Sequence, residues 1–197
     1  MAKEITLKGD KDFEKTPSLK DKALRINLNE NIYGTFAEIG AGQETVRHLF
    51  RAGGSSGTIA KAMSAYDKDF SDAIYGVEED GRYVTESRLK KMLSHEVSLI
   101  EKRLSREKHP NKMFFSYANT VATIDFAKQF KGHGWVGIRY QIEPDEDYNE
   151  IVIHIRFKET DVKLQQETLG ILGVNLIYGA FYKYNDSKKL LRYLYDH

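Results

Sequence analysis

Three glycines, three hydroxyls and two cations fall together in Arg51-Ala52-Gly53-Gly54-Ser55-Ser56-Gly57-Thr58, with Lys61 one helical turn further on. A phosphate or carboxylate site needs that set: backbone N–H groups bared by glycine, side-chain donors and a counter-charge. The Gly-x-x-x-x-Gly-Lys-Ser/Thr order is absent, so the segment is not a P-loop. Asp67 follows, amid Tyr66, Asp69 and Asp72, as the candidate catalytic base or Mg²⁺ ligand. The same composition also reads as a linker between two helices.

A second constellation precedes the first. Thr35-Phe36-Ala37-Glu38-Ile39-Gly40-Ala41-Gly42-Gln43-Glu44 reads as a strand, an acid, two glycines and a helix start. Nucleotide-dependent methyltransferases begin in a similar way, with an acid such as Glu38 placed for a ribose. That arrangement needs a second strand ending in an acid about twenty positions on, and residues 53–58 intervene. A structural turn at Gly40 and Gly42 is the alternative.

A third candidate lies on a hairpin. Pairing Ile142 with Ile151 aligns Tyr140 with Ile153, Ile138 with Ile155 and Val136 with Phe157 on one apolar face. The opposite face carries Trp135, Arg139, His154, Arg156 and Lys158, with Arg139 across from His154. Such a face suits an anionic or aromatic ligand, single-stranded nucleic acid included. The commoner reading of such a face is the wet side of a one-sided sheet. His133 sits between Gly132 and Gly134, which leaves the imidazole room to move.

These residues must be positioned by elements that the periodicity predicts. A strand or helix start is expected over 32–39, a helix over 43–50 and a short helix over 58–63. From Thr85, a capping residue, Leu89, Leu93, Val97, Ile100 and Leu104 recur at helical spacing, and His109-Pro110 ends the run. After Pro110 the period changes: residues 114–126 are rich in aromatic and β-branched side chains, and 135–142 and 151–157 alternate as strands, joined by the acidic Pro144-Asp145-Glu146-Asp147 connection. Asp161 caps a long apolar helix interrupted by Asn175, and a last helix begins near Lys188 and is cut off at His197. The class expected is α+β: an antiparallel sheet built on the hairpin near 135–157, packed with four to five helices. Residues 1–22, with an edge strand at 4–8 and Pro17 as a breaker, form an arm, and 23–197 one domain.

Composition bounds the partners. Of 197 residues, 30 are Lys or Arg and 29 Asp or Glu, a net charge of +1, which argues against nucleic acid as the main partner. No cysteine is present, so there is no disulfide framework or thiolate zinc site, as suits a cytoplasmic protein. The six histidines lack His-x-x-x-His spacing, which argues against a locally assembled metal site. No apolar run reaches the roughly 18 residues of a transmembrane helix, so no membrane partner is expected.

Three runs carry a resemblance: Leu28-Asn29-Glu30-Asn31-Ile32-Tyr33-Gly34-Thr35-Phe36-Ala37-Glu38-Ile39-Gly40-Ala41-Gly42-Gln43-Glu44, then Phe50-Arg51-Ala52-Gly53-Gly54-Ser55-Ser56-Gly57-Thr58-Ile59-Ala60-Lys61, then Ser64-Ala65-Tyr66-Asp67-Lys68-Asp69-Phe70-Ser71-Asp72-Ala73-Ile74-Tyr75-Gly76. Together they resemble an uncharacterised bacterial family whose members carry the labels TonB-dependent receptor or nicotinate-nucleotide adenylyltransferase. The resemblance covers most of the chain from Leu28 onward, and its relatives continue past residue 197, which implies a longer protein. A receptor barrel needs a signal peptide and many membrane strands, and the adenylyltransferase needs a His-x-Gly-His motif that Gly132-His133-Gly134-Trp135 does not supply. No catalytic residue carries over.

The leading expectation is therefore a cytoplasmic domain that binds a nucleotide or other phosphorylated small molecule through Arg51, Gly53, Gly54, Ser55, Ser56, Gly57, Thr58 and Lys61. The alternative is a non-catalytic assembly module and homo-oligomer, in which Gly170, Gly173 and Gly179 let helices or protomers approach closely.

Overall fold

Ser18 and Asp21 start the first helix by capping each other's backbone, the Ser18 hydroxyl accepting from Asp21 N at 3.2 Å and Asp21 Oδ2 from Ser18 N at 3.3 Å. The computed structural model describes residues 17–104, 106–127 and 131–195. Helix α1 (Leu19–Asn27) begins inside the segment read as an arm, and the expected edge strand at 4–8 lies outside the described residues. There follow β1 (Ile32–Gly40), α2 (Glu44–Ala52), a 3₁₀ turn (Ser55–Gly57), β2 (Ile59–Ala65), α3 (Lys68–Tyr75), α4 (Glu86–Arg103) and β3 (Met113–Ala122). The hairpin β4 (His133–Tyr140) and β5 (Asn149–Arg156) leads to α5 (Val162–Tyr182) and α6 (Ser187–Tyr195). Thr85 and Asp161 cap α4 and α5 as expected, accepting from Arg88 N and Leu164 N.

The sheet corrects the expected class. Its five strands run in the order β2-β1-β3-β4-β5, and β1 pairs in parallel with both β2 and β3. Only β3-β4 and β4-β5 are antiparallel. The sheet is thus mixed rather than antiparallel, and six α-helices pack on it among the described residues rather than four to five. Parallel neighbours require crossovers, and α2 and the α3–α4 pair supply them. The error arose at β2, whose sequence Ile59-Ala60-Lys61-Ala62-Met63-Ser64-Ala65 is rich in helix formers. Pairing with β1 overrides that propensity, and Lys61, Met63 and Ala65 point inward in alternation.

The two faces of the sheet carry separate cores. Phe36, Tyr117, Val136 and Ile138 pack with Ile26 of α1, Leu49 of α2, Val174 and Ile177 of α5 and Tyr193 of α6. Ala37 and Ala118, one residue on, face Leu89, Met92 and Leu93 of α4 and Tyr75 of α3. The outcome is a three-layer α/β/α sandwich, so the hairpin face expected to be wet is covered at its middle by α4.

The hairpin register also differs from expectation. Ile138 pairs with Ile151 and Val136 with Ile153, a shift that keeps each side chain on its face but sets Trp135 opposite His154 and Arg139 opposite Glu150. An even shift preserves the apolar pattern, which is why alternation alone did not distinguish the two registers.

Candidate functional site

In open α/β sheets, ligands bind beyond the carboxyl ends of parallel strands where the strand order reverses. Here that point lies between β1 and β3, since β1 is followed by β2 on one side and β3 takes the other. The turn Gly40-Ala41-Gly42-Gln43 leaves β1 at this end and starts α2.

Glu38 fills the N-terminus of α2 from within. It is 1% exposed, and its Oε1 accepts from Thr45 N and Asn119 Nδ2, both at 3.2 Å, while Oε2 accepts from Val46 N at 3.3 Å. Burial pushes its carboxyl up to about 7, only partly opposed by the hydrogen bonds from Val46, Thr45 and Asn119. The free N–H groups that would receive a ligand anion are thereby occupied by the protein's own carboxylate, which cannot reach a ribose. Asn119 also donates to Gly42 O at 2.8 Å, tying the turn to β3. Gly40 has φ 77°, and a Cβ there would strike the Val121 carbonyl, so close backbone packing requires this glycine.

At the same edge, on the α4 side of the sheet, stand His133, Trp135, His154 and Arg156. The Trp135 and His154 rings stack at 4.6 Å with an interplanar angle of 25°. His133 Nδ1 and His154 Nε2 are 3.4 Å apart. Burial first, then the neighbouring His154 and Arg156 charges, lowers the His133 pKa. Arg156 is exposed and forms no ion pair among the described residues. Thr120, across from Trp135, donates to Tyr83 O at 2.7 Å and so brings the loop before α4 alongside. Lys68 lies 5.1 Å above the Tyr83 ring, and Tyr83 donates to Asp72 at 2.7 Å. Sequence reading missed Tyr83 and Lys68, because only the crossover brings them to this edge.

The Arg51 to Lys61 segment lies at the opposite end of the sheet, between the C-terminus of α2 and the start of β2. Gly53 and Gly54 have positive φ and end the helix, with Gly53 N donating to Phe50 O. Thr58 Oγ1 donates to Asn27 O at 2.7 Å, and Asn27 Nδ2 in turn donates to Leu49 O and Gly53 O. Lys61 points to the α4 side, where it pairs with the buried Glu96 at 2.6 Å, whereas Arg51 sits on α2 across the sheet. Asp67 is at the far end of β2, its Oδ1 capping α3 by accepting from Phe70 N at 2.8 Å. Arg51, Lys61 and Asp67 do not converge. Ser55, Ser56 and Gly57 remain on the surface beside Arg51, and the two serine hydroxyls have no hydrogen-bond partner among the described residues.

Arg139 belongs to neither group. It reaches Ser94 Oγ at 2.9 Å under α4 and lines a cavity of about 520 Å³ beside the β4–β5 loop. The polar walls of that cavity largely pair with one another: Tyr148 donates to Glu101 at 2.9 Å, and Arg106 bonds Gln141 at 2.9 Å and Asp145 at 2.7 Å. The α5 glycines serve contacts within the chain, with Gly170 against Glu44 and His48, Gly173 against Thr45 and Tyr117, and Gly179 against Leu190 of α6.

No helix among the described residues is long and apolar enough to cross a membrane, and none of their His, Asp and Glu side chains cluster in threes as a metal site would require. The sequence matches no known family pattern and no curated protein. The fold does have solved counterparts. The competence/damage inducible protein CihA from Agrobacterium tumefaciens is similar with a TM-score of 0.58 and 14% identity, over 84% of this chain and 97% of that one. The competence-damaged protein (CinA) superfamily member from Enterobacter cloacae gives 0.57 at 12% identity, over 86% and 95%. A competence or damage-inducible protein from Enterobacter asburiae gives 0.56 at 12%, over 84% and 99%. At these identities the likeness is one of fold. All three are bacterial, and nothing in them supports the receptor or adenylyltransferase labels.

Proposed function

We propose that this chain is a cytoplasmic domain that binds a nucleotide or other phosphorylated small molecule at the carboxyl edge of its parallel strands. The observation that carries the reading is the stacked Trp135–His154 pair on β4 and β5, flanked by His133 and by Arg156, which has no ion pair among the described residues, at the end of the sheet where the parallel strands finish. A flat aromatic pair offers a base a stacking surface, and the Arg156 guanidinium offers a phosphate its counter-charge. Trp135 is the single tryptophan of the chain, so its fluorescence reports occupancy directly. AMP and NAD should quench it saturably, ribose 5-phosphate should not, and Arg156→Ala should weaken AMP by about tenfold, or ~1.4 kcal/mol. Unchanged fluorescence at millimolar nucleotide would remove this assignment.

A second placement of the same ligand class has its own support. The Gly53 to Gly57 turn leaves the Ser55 and Ser56 hydroxyls without a hydrogen-bond partner among the described residues, just after exposed Arg51 in the last turn of α2. Thr58, Lys61 and Asp67 are already engaged and drop out of this version. Calorimetric binding that is lost in Arg51→Ala and Ser55→Ala, with Trp135 fluorescence silent, would favour the turn over the aromatic edge.

A further inference from the structure

A smaller cavity, of about 150 Å³, opens at the other end of the sheet from the aromatic edge, between the starts of β1 and β2 and the last turns of α4. Tyr33, Leu99 and Ile100 give it apolar walls. Its polar lining is Thr35, Lys61 and Arg103.

Thr35 is the informative member. It is 3% exposed, and its hydroxyl is buried without a hydrogen-bond partner among the described residues. Leaving a buried hydroxyl unpaired is a cost that a valine of the same shape would not incur. Its position on the wall of a cavity means that the missing partner can enter from that cavity. Charge then selects the partner. Lys61 is matched by the buried Glu96 at 2.6 Å, but Arg103 has no ion pair among the described residues, so the lining carries one positive charge in excess. An ammonium has three donors, and Glu96 engages one of them, so Lys61 can serve a second acceptor.

A cavity of about 150 Å³ with this lining suits a carboxylate head on a short chain or a single ring better than a whole nucleotide. From these features we infer that this cavity binds a small monoanionic amphiphile, a short-chain or aromatic carboxylate, with its head on Thr35, Lys61 and Arg103 and its body on Tyr33, Leu99 and Ile100. The site is independent of the nucleotide reading, since none of its residues belongs to the aromatic edge.

Saturation-transfer NMR and calorimetry on the whole chain test this with three probes of one length: hexanoate, hexanol and hexylammonium. Hexanoate should bind at least about tenfold more tightly than hexanol, and hexylammonium should not bind at all. Arg103 is exposed, so Arg103→Gln should fold normally and erase the preference for hexanoate. Thr35→Val should weaken hexanoate severalfold, and Leu99→Trp, by filling the cavity, should abolish binding. Equal binding of hexanoate and hexanol, an Arg103→Gln protein that keeps the preference, or binding that survives Leu99→Trp would each overturn the assignment. Absence of hexanoate binding at millimolar concentration would do so too, leaving water as the partner of Thr35.

Discussion

Glu38 sits in an environment that departs from what its type suggests. Its carboxyl lies in the core, held by Thr45 N, Val46 N and Asn119, and burial lifts it from 4.5 to about 7. A raised carboxyl favours the folded state while protonated in it, so its contribution is fully present below about pH 4.5 and is lost as pH rises through 7. That displacement corresponds to about 3 kcal/mol. Glu38→Gln should therefore gain on the wild type by about that amount between pH 4.5 and pH 8, as read from urea unfolding at both values. Parallel pH profiles for the two proteins would mean that Glu38 is ionised at no cost. The pairing of Glu38 with a helix start was visible in the sequence, but its direction was not. An acid before a Gly-x-Gly turn serves a ligand or the helix according to which way the side chain points, and here Thr45 N, Val46 N and Asn119 on β3 hold it inward.

At the scale of elements, packing between α5 and α2 governs the larger half of the core. Gly173 lies against Thr45 and Tyr117, and these two side chains hydrogen-bond at 3.0 Å. A Cβ at Gly173 would push into both, so Gly173→Ala should destabilise the protein by about 1–3 kcal/mol despite the better helix propensity of alanine. A thermal melt checks this, and a rise in Tm would show that α5 shifts freely on α2. Asn175, which looked like a flaw in an apolar helix, accepts from buried Lys22 of α1 at 2.8 Å and so joins α1 to α5. Helices α4 and α5 were legible because their apolar spacing, Thr85 and Asp161 are local signals. β2 was not, because its strand state comes from hydrogen bonds to β1 and from the Lys61–Glu96 pair, which local propensity does not record.

For the whole molecule, the strand order predicts a gradient of stability. β1 and β3 each have a strand on both sides and helices on both faces, while β2 and β5 are edges. Amide hydrogen exchange should be slowest in β1 and β3 and fastest in β2 and β5, and uniform protection across the sheet would contradict this order. The same order sets the candidate sites apart, with the Trp135–His154 edge at one end of the parallel strands and the Gly53 to Gly57 turn and the Thr35 cavity at the other. The sequence by itself determined the near-neutral charge, the absence of thiol chemistry, the hairpin, the capped α4 and α5 and the residues worth testing. Those follow from composition and from periodicities of a few residues. Tertiary structure alone decided the parallel pairing, the inward turn of Glu38, the separation of Arg51, Lys61 and Asp67 and the meeting of Trp135 with His154. The physical reason is that each depends on hydrogen bonds and contacts between segments distant in the chain, whose partners and register local patterns leave open.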